Sequence, residues 1–421
     1  MSGAAPRGFS LPIQTVTAGG ITAWLVEDHA VPVVSIAWSW PGGAALDAPG
    51  QEGAAAFAAA MLLEGAGPLP ATEFADALRD AAIGLSFGAD RDSFEGGFRC
   101  LTQALPEAVR LARLAMYAPR FDADALARVR ARGVAAARRA LETPRGQAAR
   151  AFWAAAYPNH PAGRSVSGTP ESLVAMPAEA LPAMLGRQLR QGGLLVAVAG
   201  DITAAELAPW LTQLFADLPA GAPPTPAPLP AFRDFGTQVV EVASPQSAVI
   251  FGQDGLPARD PDWEAAQVVL RILSGGGFAS RLMHAVRETR GLAYGIGAGL
   301  DLVFGEGIII GSVATENARV AETLKVTREE WARMAAEGPT EAERDDALAY
   351  LTGSMPLQFT DSRRIADTLL ALRRNDRPLD WLADRPARLA ALDRARLAAV
   401  AGRLLKPQQL AAVVAGQPVG L

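Results

Sequence analysis

The sequence of 421 residues holds one cysteine and three histidines, and aromatic residues make up only 6% of it. Cys100 alone cannot close an intramolecular disulfide, and a tetrahedral zinc ribbon needs more sulfur and nitrogen ligands than one thiol supplies. In the strand-like run DSFEGGFRC this thiol reads as a small buried hydrophobe. His29, His160 and His284 are widely separated and none has a second histidine a helical turn away, so the paired-histidine face of zinc hydrolases is missing. A positive charge excess is missing too. The formal net charge of −5 leaves no basic surface on which a nucleic-acid backbone would release counterions, and no nucleic-acid partner is expected. Apolar runs are broken by Gly, Arg or Pro before the ~20 residues of a membrane span, so none is expected. The start MSGAAPRGFSLP lacks the charged head and apolar stretch of a secretion signal, which leaves a cytoplasmic chain or one seen after loss of a leader. There is no G-x-S-x-G elbow, and SGGGF at Ser274–Phe278 lacks the lysine of a P-loop and the pattern of a dinucleotide fingerprint.

Half of the residues are hydrophobic and a fifth are charged, a globular composition. The length exceeds what one core of ~250 residues holds, so two domains are expected. The segment PAGAPPTPAPLP from Pro219 to Pro230 is too dense in proline for helix or sheet interior and reads as the linker, or else as a surface loop. This predicts domains over 1–218 and 234–421 around a linker at 219–233.

The two halves carry similar orders of elements. In the first, ITAWLVED and VPVVSIAWSW read as strands, followed by an Ala/Leu-rich helix from Glu52 to Glu64 and another from Ala71 to Ala82. GLSFGAD and SFEGGFRCL then read as a strand pair, and LLVAVAGDI as a buried strand before a last helix. In the second, GTQVVEVA and SAVIFGQ precede a helix from Trp263 to Leu273, GLAYGIGAGLDLVFGEGIIIGSVA supplies a strand pair, and QLAAVVAGQP echoes LLVAVAGDI. The expected fold is α+β: two homologous domains, each a mostly antiparallel or mixed sheet with helices packed on one face.

The stretch SRLMHAVRETRGLAYGIG carries the most chemistry. A helix beginning around Phe278 and ending at Gly291 places Arg287 near its end and Tyr294 just inside the next strand. Together a guanidinium and a phenol can hydrogen-bond a peptide carbonyl and the oxyanion that develops from it. The alternative is a surface ion pair for Arg287 and a ring packed in the sheet for Tyr294. Gly275 to Gly277 read as a flexible approach to a substrate or as a plain tight turn.

SGGGFASRLMHAVRETRGLAYGIG, WLVEDHAVPVVSIAWSWPGGAALDAPGQEGAAAF and HPAGRSVSGTPESL give nearly the whole chain a layout that resembles the pitrilysin/insulinase metallopeptidases. It is similar in particular to their short, two-domain, processing-peptidase-like subunits. The active half of that family carries His-x-x-Glu-His on its first long helix. With Gly53 and Gly65 as anchors, the two zinc histidines fall at Ala56 and Ala60, the general-base Glu at Ala59, and the third ligand, a Glu farther on, at or beside Ala136. A methyl group neither coordinates zinc nor accepts a proton from water.

The resemblance therefore implies a subunit that binds no metal or cofactor itself and supplies Arg287 and Tyr294 in trans. The zinc ion is expected in a homologous partner, closed with this chain like a clamshell around an unfolded peptide. It implies proteolysis by a heterodimer, with an inert scaffold or binding subunit of a larger complex as the alternative, and a homodimer left open where the partner is absent. Relatives of this kind are often exported, which favours the periplasm over the cytoplasm.

Overall fold

A computed structural model describes residues 11–421; the ten residues before them, read above for a leader, lie outside the described part. In the first half the strands are β1 (Ile13–Ala18), β2 (Ile21–Glu27), β3 (Val33–Pro41), the short hairpin β4 (Gly65–Ala66) and β5 (Leu69–Pro70), then β6 (Gly84–Ala89), β7 (Ser93–Leu101) and β8 (Leu195–Gly200). The second half adds β9 (Thr237–Glu241), β10 (Gln246–Asp254), β11 (Ala293–Val303), β12 (Glu306–Glu316) and β13 (Ala411–Gly416). One sheet has the order β1-β2-β8-β3-β7-β6 and the other β11-β12-β10-β13-β9. With β1 set aside the orders correspond strand for strand. In each, a parallel pair joins an early strand to the last one, β2 to β8 and β9 to β13, and the remaining neighbours are antiparallel. The α+β fold with two homologous, mixed sheets is therefore what the chain adopts, and the repeat lies in topology rather than in residue identity. The sequence reading began at Ile21 and did not include β1.

The chain separates into two compact units, neither of them contiguous. The first comprises the chain up to Arg138, Ser165–Ala227 and Met355–Ala383; the second comprises Arg139–Arg164, Pro228–Ser354 and Asp384–Leu421. The break between Ala227 and Pro228 falls inside the proline-rich stretch, yet 1–218 and 234–421 do not coincide with the units. Two helices have changed places.

The reason lies in the strands. Side chains alternate between the faces of a strand; β8 and β13 carry no polar side chain, β3 and β10 are mainly apolar in their middles, and all four are almost wholly buried. Such strands need cover on both faces. In the first unit Leu25, Ile36, Trp38 and Val198 face a large core with the helices Ala54–Met61, Leu105–Tyr117 and Ala204–Phe215. The alternate residues Val26, Ala37, Ala197 and Ala199 face the opposite way, against Ile365, Ala366, Leu369 and Leu370 of the helix Ser362–Arg374. In the second unit Val249, Phe251 and Val414 pack with the helices Trp263–Leu270, Val320–Glu337 and Arg394–Leu404, while Ile250, Val413 and Ala415 pack on Ala148, Phe152 and Ala156 of the helix Pro144–Ala156. Each unit thus has helices massed on one face and a single helix, drawn from the other half of the sequence, on the other.

Both exchanged helices start on strong local signals. Asp361 accepts from the backbone N–H of Arg363 and Arg364, and Arg373 and Arg374 lie at the C-terminal end, where the helix dipole favours cations. Thr143 accepts from the Gly146 N–H and Pro144 occupies the first turn.

If the helix Ser362–Arg374 belongs to the first unit's core, Leu369→Ala costs about 2–5 kcal/mol, as expected for a buried Leu truncated where the cavity stays open. Amide hydrogen exchange should then quicken in Val34–Ser39 and Leu195–Gly200. Faster exchange in β10 and β13 with β3 and β8 unaffected would contradict the exchanged arrangement.

Candidate functional site

The positions at which the resemblance puts a metal site are visible in the first unit. The helix Ala54–Met61 is shorter at both ends than expected, and its start is set by Asp47. The Asp47 carboxylate accepts from the N–H of Gly53 at 2.8 Å and of Ala55 at 2.9 Å, and burial pushes its pKa up to about 6 despite these bonds. Gly53 has φ +92°, and a Cβ there would meet the Gly168 backbone at 2.8 Å, so glycine is required. Ala56 and Ala60 share one partly exposed helix face and Ala59 is buried. On the helix Ala123–Glu142, Ala136 is exposed and Ala137 beside it is buried.

What the helix Ala123–Glu142 offers this region is basic. Arg128 and Arg132 pair with Glu64 at 2.6 and 3.1 Å, and the Arg130 guanidinium lies 5.9 Å from the centre of the Phe57 ring. Methyl groups beside guanidinium groups do not suit a cation. Among the described residues, no cluster of three or more His, Cys, Asp or Glu could hold a metal.

The histidines have local roles. His29 Nδ1 lies 2.7 Å from Asp201, whose hydrogen bond raises the histidine pKa. His160 Nδ1 accepts from the Ala162 N–H at 3.1 Å, and His284 Nδ1 lies 3.4 Å from the Thr289 hydroxyl. Cys100 is buried, which pushes its thiol pKa up to about 12.

In the second unit, Arg287 and Tyr294 come together. The guanidinium carbon of Arg287 is 4.6 Å from the centre of the Tyr294 ring and 4.5 Å from that of Phe278, so the cation is within cation–π range of both aromatic rings. Arg287 also faces Glu288 at 3.4 Å, but Tyr294 is 85% exposed and Phe278 67%. The surface ion pair considered for Arg287 is therefore present, whereas the Tyr294 ring is not packed into the sheet.

Three departures from regular backbone produce this arrangement. The helix expected to begin at Phe278 instead begins at Arg281; Gly277–Ala279 is a separate tight turn, and Gly277 has φ +58°. A left-handed residue cannot open a right-handed helix without stopping it, which accounts for the later start. The helix then widens over Met283–Glu288 into turns with i to i+5 hydrogen bonds, as in Thr289 N–H to His284 O at 2.9 Å, and ends at Gly291 with φ +60°. Finally, β11 carries a bulge. Ala293 pairs with Thr315 and Ile296 with Val313, so Tyr294 and Gly295 together oppose one residue of β12. Wide turns and bulges are found disproportionately at functional sites because they re-aim side chains.

A second wide turn, Arg271–Gly275, replaces the end of the helix expected to run to Leu273 and leads into the glycine loop. Ser274 anchors that loop, donating to the Ala298 carbonyl of β11 at 2.8 Å. Arg281 is held by Glu343 through Nε at 2.6 Å and Nη2 at 2.7 Å. Burial works against the Glu343 carboxylate, but the bonds from Arg281 and the Thr340 N–H outweigh it and lower its pKa to about 2. The sequence reading missed Phe278, although an aromatic straight after a glycine triplet was a usable signal, and it missed the bulge.

Comparison with known proteins is consistent with these observations. Residues 187–351 match the family described as "Peptidase M16 inactive domain". An uncharacterized zinc protease of Mycobacterium leprae is 33% identical over 50% of this chain and 48% of its own length. The chain thus spans about half the length of that relative. The "Non-peptidase homolog YmxG" of Helicobacter pylori is 26% identical over 83% of this chain and 81% of its own. Among solved structures, a peptidase M16 inactive domain from Pseudomonas fluorescens superposes with a TM-score of 0.91 at 27% identity, covering 97% of this chain and 98% of the other. A protease from Helicobacter pylori has the same fold, with a TM-score of 0.87 at 18% identity over 96% of this chain and 100% of the other. Among the described residues no helix is long and apolar enough to cross a membrane.

The Arg281–Glu343 pair that braces the site is open to a pH test. A carboxylate whose pKa is lowered by folding contributes stability above its unfolded value near pH 4.5, and that contribution is lost as the pH falls toward 2. Glu343→Gln should lower stability at pH 7 by on the order of 2 kcal/mol, and the gap between variant and parent should narrow to less than half by pH 2.5 and close only below pH 2. A gap between their denaturation curves that stays constant over this range would show that the pair does not act through charge.

Proposed function

The chain is a member of the M16 peptidase family that carries its inactive domain and lacks its His-x-x-Glu-His motif, and on that premise we propose that it acts as the non-zinc half of a two-chain peptidase. It is a non-catalytic M16-like protein by itself. The zinc ion and the water it activates belong in this reading to a homologous partner, because methyl groups occupy the ligand positions here.

This chain contributes the second half of the site: it orients an extended, unfolded peptide and donates hydrogen bonds to it. The carrying observation is Arg287, in contact with Phe278 and Tyr294 with the phenol turned out to solvent. Nε of Arg287 faces Glu288 at 3.4 Å, and contact with the rings leaves the terminal NH2 groups of the guanidinium to donate. The Tyr294 hydroxyl has no partner among the described residues and adds a second donor. Two preoriented donors on one carbonyl stabilise the oxyanion better than the ground state, which is the condition for accelerating the reaction.

A scaffold or binding subunit without any catalytic part is the second reading. The name of the Helicobacter pylori relative, a non-peptidase homolog, favours it. It needs no zinc-bearing partner and gives the exposed phenol no task.

Peptide cleavage by a zinc-bearing relative, titrated with this chain, decides between the two. The first reading expects activity that appears on mixing and saturates near one to one. Arg287→Ala and Tyr294→Phe should each then reduce turnover by about 10²–10³-fold, the usual effect of removing one oxyanion donor. Stimulation that both variants preserve would remove the pair from the mechanism, and no stimulation at all would favour the scaffold.

A further inference from the structure

The second unit contains another arginine stacked on an exposed tyrosine. The guanidinium carbon of Arg271 lies 3.4 Å from the centre of the Tyr350 ring, close face-to-face contact, and Tyr350 is 54% exposed. Such stacking fixes the guanidinium plane and leaves its in-plane N–H donors pointing away from the ring. Among the described residues no carboxylate lies within 4 Å of Arg271 and no acceptor takes its side-chain N–H groups, its guanidinium resting instead on the Tyr350 ring. Arg281, in the same unit, shows the contrast: there Nε and Nη2 are both spent on Glu343. A planar, preoriented and unoccupied pair of donors matches the two oxygens of a carboxylate.

This pair is tied to the candidate site by short, rigid links. Arg271 opens the wide turn Arg271–Gly275, whose Ser274 is anchored to β11, the strand that carries Tyr294. Tyr350 lies on the helix Glu341–Gly353, which Glu343 fastens to Arg281 at the start of the helix bearing Arg287. Seven residue steps separate Arg271 from Phe278, so they lie within ~25 Å even if that segment were extended, and its helical turns bring them closer. A peptide of about seven or eight residues in extended form covers such a distance.

We propose that Arg271 and Tyr350 form a second subsite, which takes a carboxylate of the same peptide, an Asp or Glu side chain or the C-terminal carboxylate, several residues from the segment held at Arg287 and Tyr294. This rests on the peptide-holding role proposed above. It narrows the substrate class to peptides that carry a negative charge at a defined distance from the held segment.

The test uses the full chain alone, without a partner. Fluorescein-labelled peptides of about ten residues, built of Ala and Ser around one Phe, are compared by fluorescence anisotropy. One set has an amidated C-terminus and a single Glu at successive positions, a second has Gln in its place, and a third has Gln with a free C-terminal carboxylate. At one Glu position, or with the free terminus, binding should be about tenfold tighter than for the amidated Gln peptide, as a charge-assisted hydrogen bond gives. The position or terminus that shows the effect identifies the source of the carboxylate.

Arg271→Ala should abolish that ratio, and Tyr350→Ala should reduce it by releasing the guanidinium; if one variant fails to fold, the other still reads the subsite. Arg287→Ala should weaken all peptides alike and leave the ratio standing. Equal binding of Glu and Gln peptides, no binding at all, or a ratio that persists in Arg271→Ala each overturns the proposal. A ratio that depends on Arg271, found with a chain that never stimulates a zinc-bearing relative, would keep the subsite and refute the catalytic role.

Discussion

A sheet whose central strands are apolar on both faces cannot leave either face in water, and this constraint shapes the whole chain. β8 and β13 are short and buried along almost their whole length, and β3 and β10 flank them in equivalent places. Burial of apolar area at ~25 cal/mol per Å² sets the scale of what an uncovered second face would forfeit. In both units the cover is one amphipathic helix from the other half of the sequence, Ser362–Arg374 on the first sheet and Pro144–Ala156 on the second. The exchange is reciprocal, since the two helices occupy corresponding places in the repeated order of elements. Neither half of the sequence contains the complete core of its own sheet.

Both wide helical turns and the bulge of the second unit lie between Arg271 and Ile296. Two glycines with positive φ lie there too. Such features persist only where their surroundings enforce them. Here Ser274 fixes the first turn to β11, Glu343 fixes Arg281, and the Thr315 hydroxyl donates to the Leu292 carbonyl at 2.6 Å next to the bulge. A regular helix running into a regular strand would place Arg287 and Tyr294 near each other in sequence without turning the phenol outward. The bulge shifts the alternation of β11 by one residue, which allows Tyr294 to be almost fully exposed while Ala293 and Ile296 are buried.

What could be read from sequence follows the range of the interaction concerned. The proximity of Arg287 and Tyr294 was legible because Gly291 ends a helix just before an apolar strand, and the alanines at positions 56 and 60, where the resemblance would put zinc ligands, were legible because they need only the residue types. β8 was recognisable as a buried strand and β13 by its likeness to it, but helices were expected on one face of each sheet only, although unbroken apolar runs call for cover on both. What covers them was not legible, because helices such as PRGQAARAFWAAA and SRRIADTLLALRR specify a buried stripe and not the sheet it meets. The late helix start at Arg281 turned on the positive φ of Gly277, which a glycine permits but does not announce. Pairing of Arg271 with Tyr350 joins positions remote in sequence, and no local pattern encodes it.

An exposed ring distinguishes a working surface from a relic more sharply than an absent ligand does. Alanines at positions 56, 59 and 60 would look the same in a scaffold and in a contributing subunit. Phe278 and Tyr294 are different, because leaving large rings in water forgoes burial and invites unwanted association. Both are exposed and in contact with one guanidinium, on backbone held by hydrogen bonds from Ser274 and Thr315. In a protein that has no use for the arrangement, replacing either ring by a polar residue or closing the bulge would relieve a cost at no loss. The presence of ring, cation and bulge together is therefore the feature that weighs toward a contributing subunit, and the scaffold reading must supply some other reason for it.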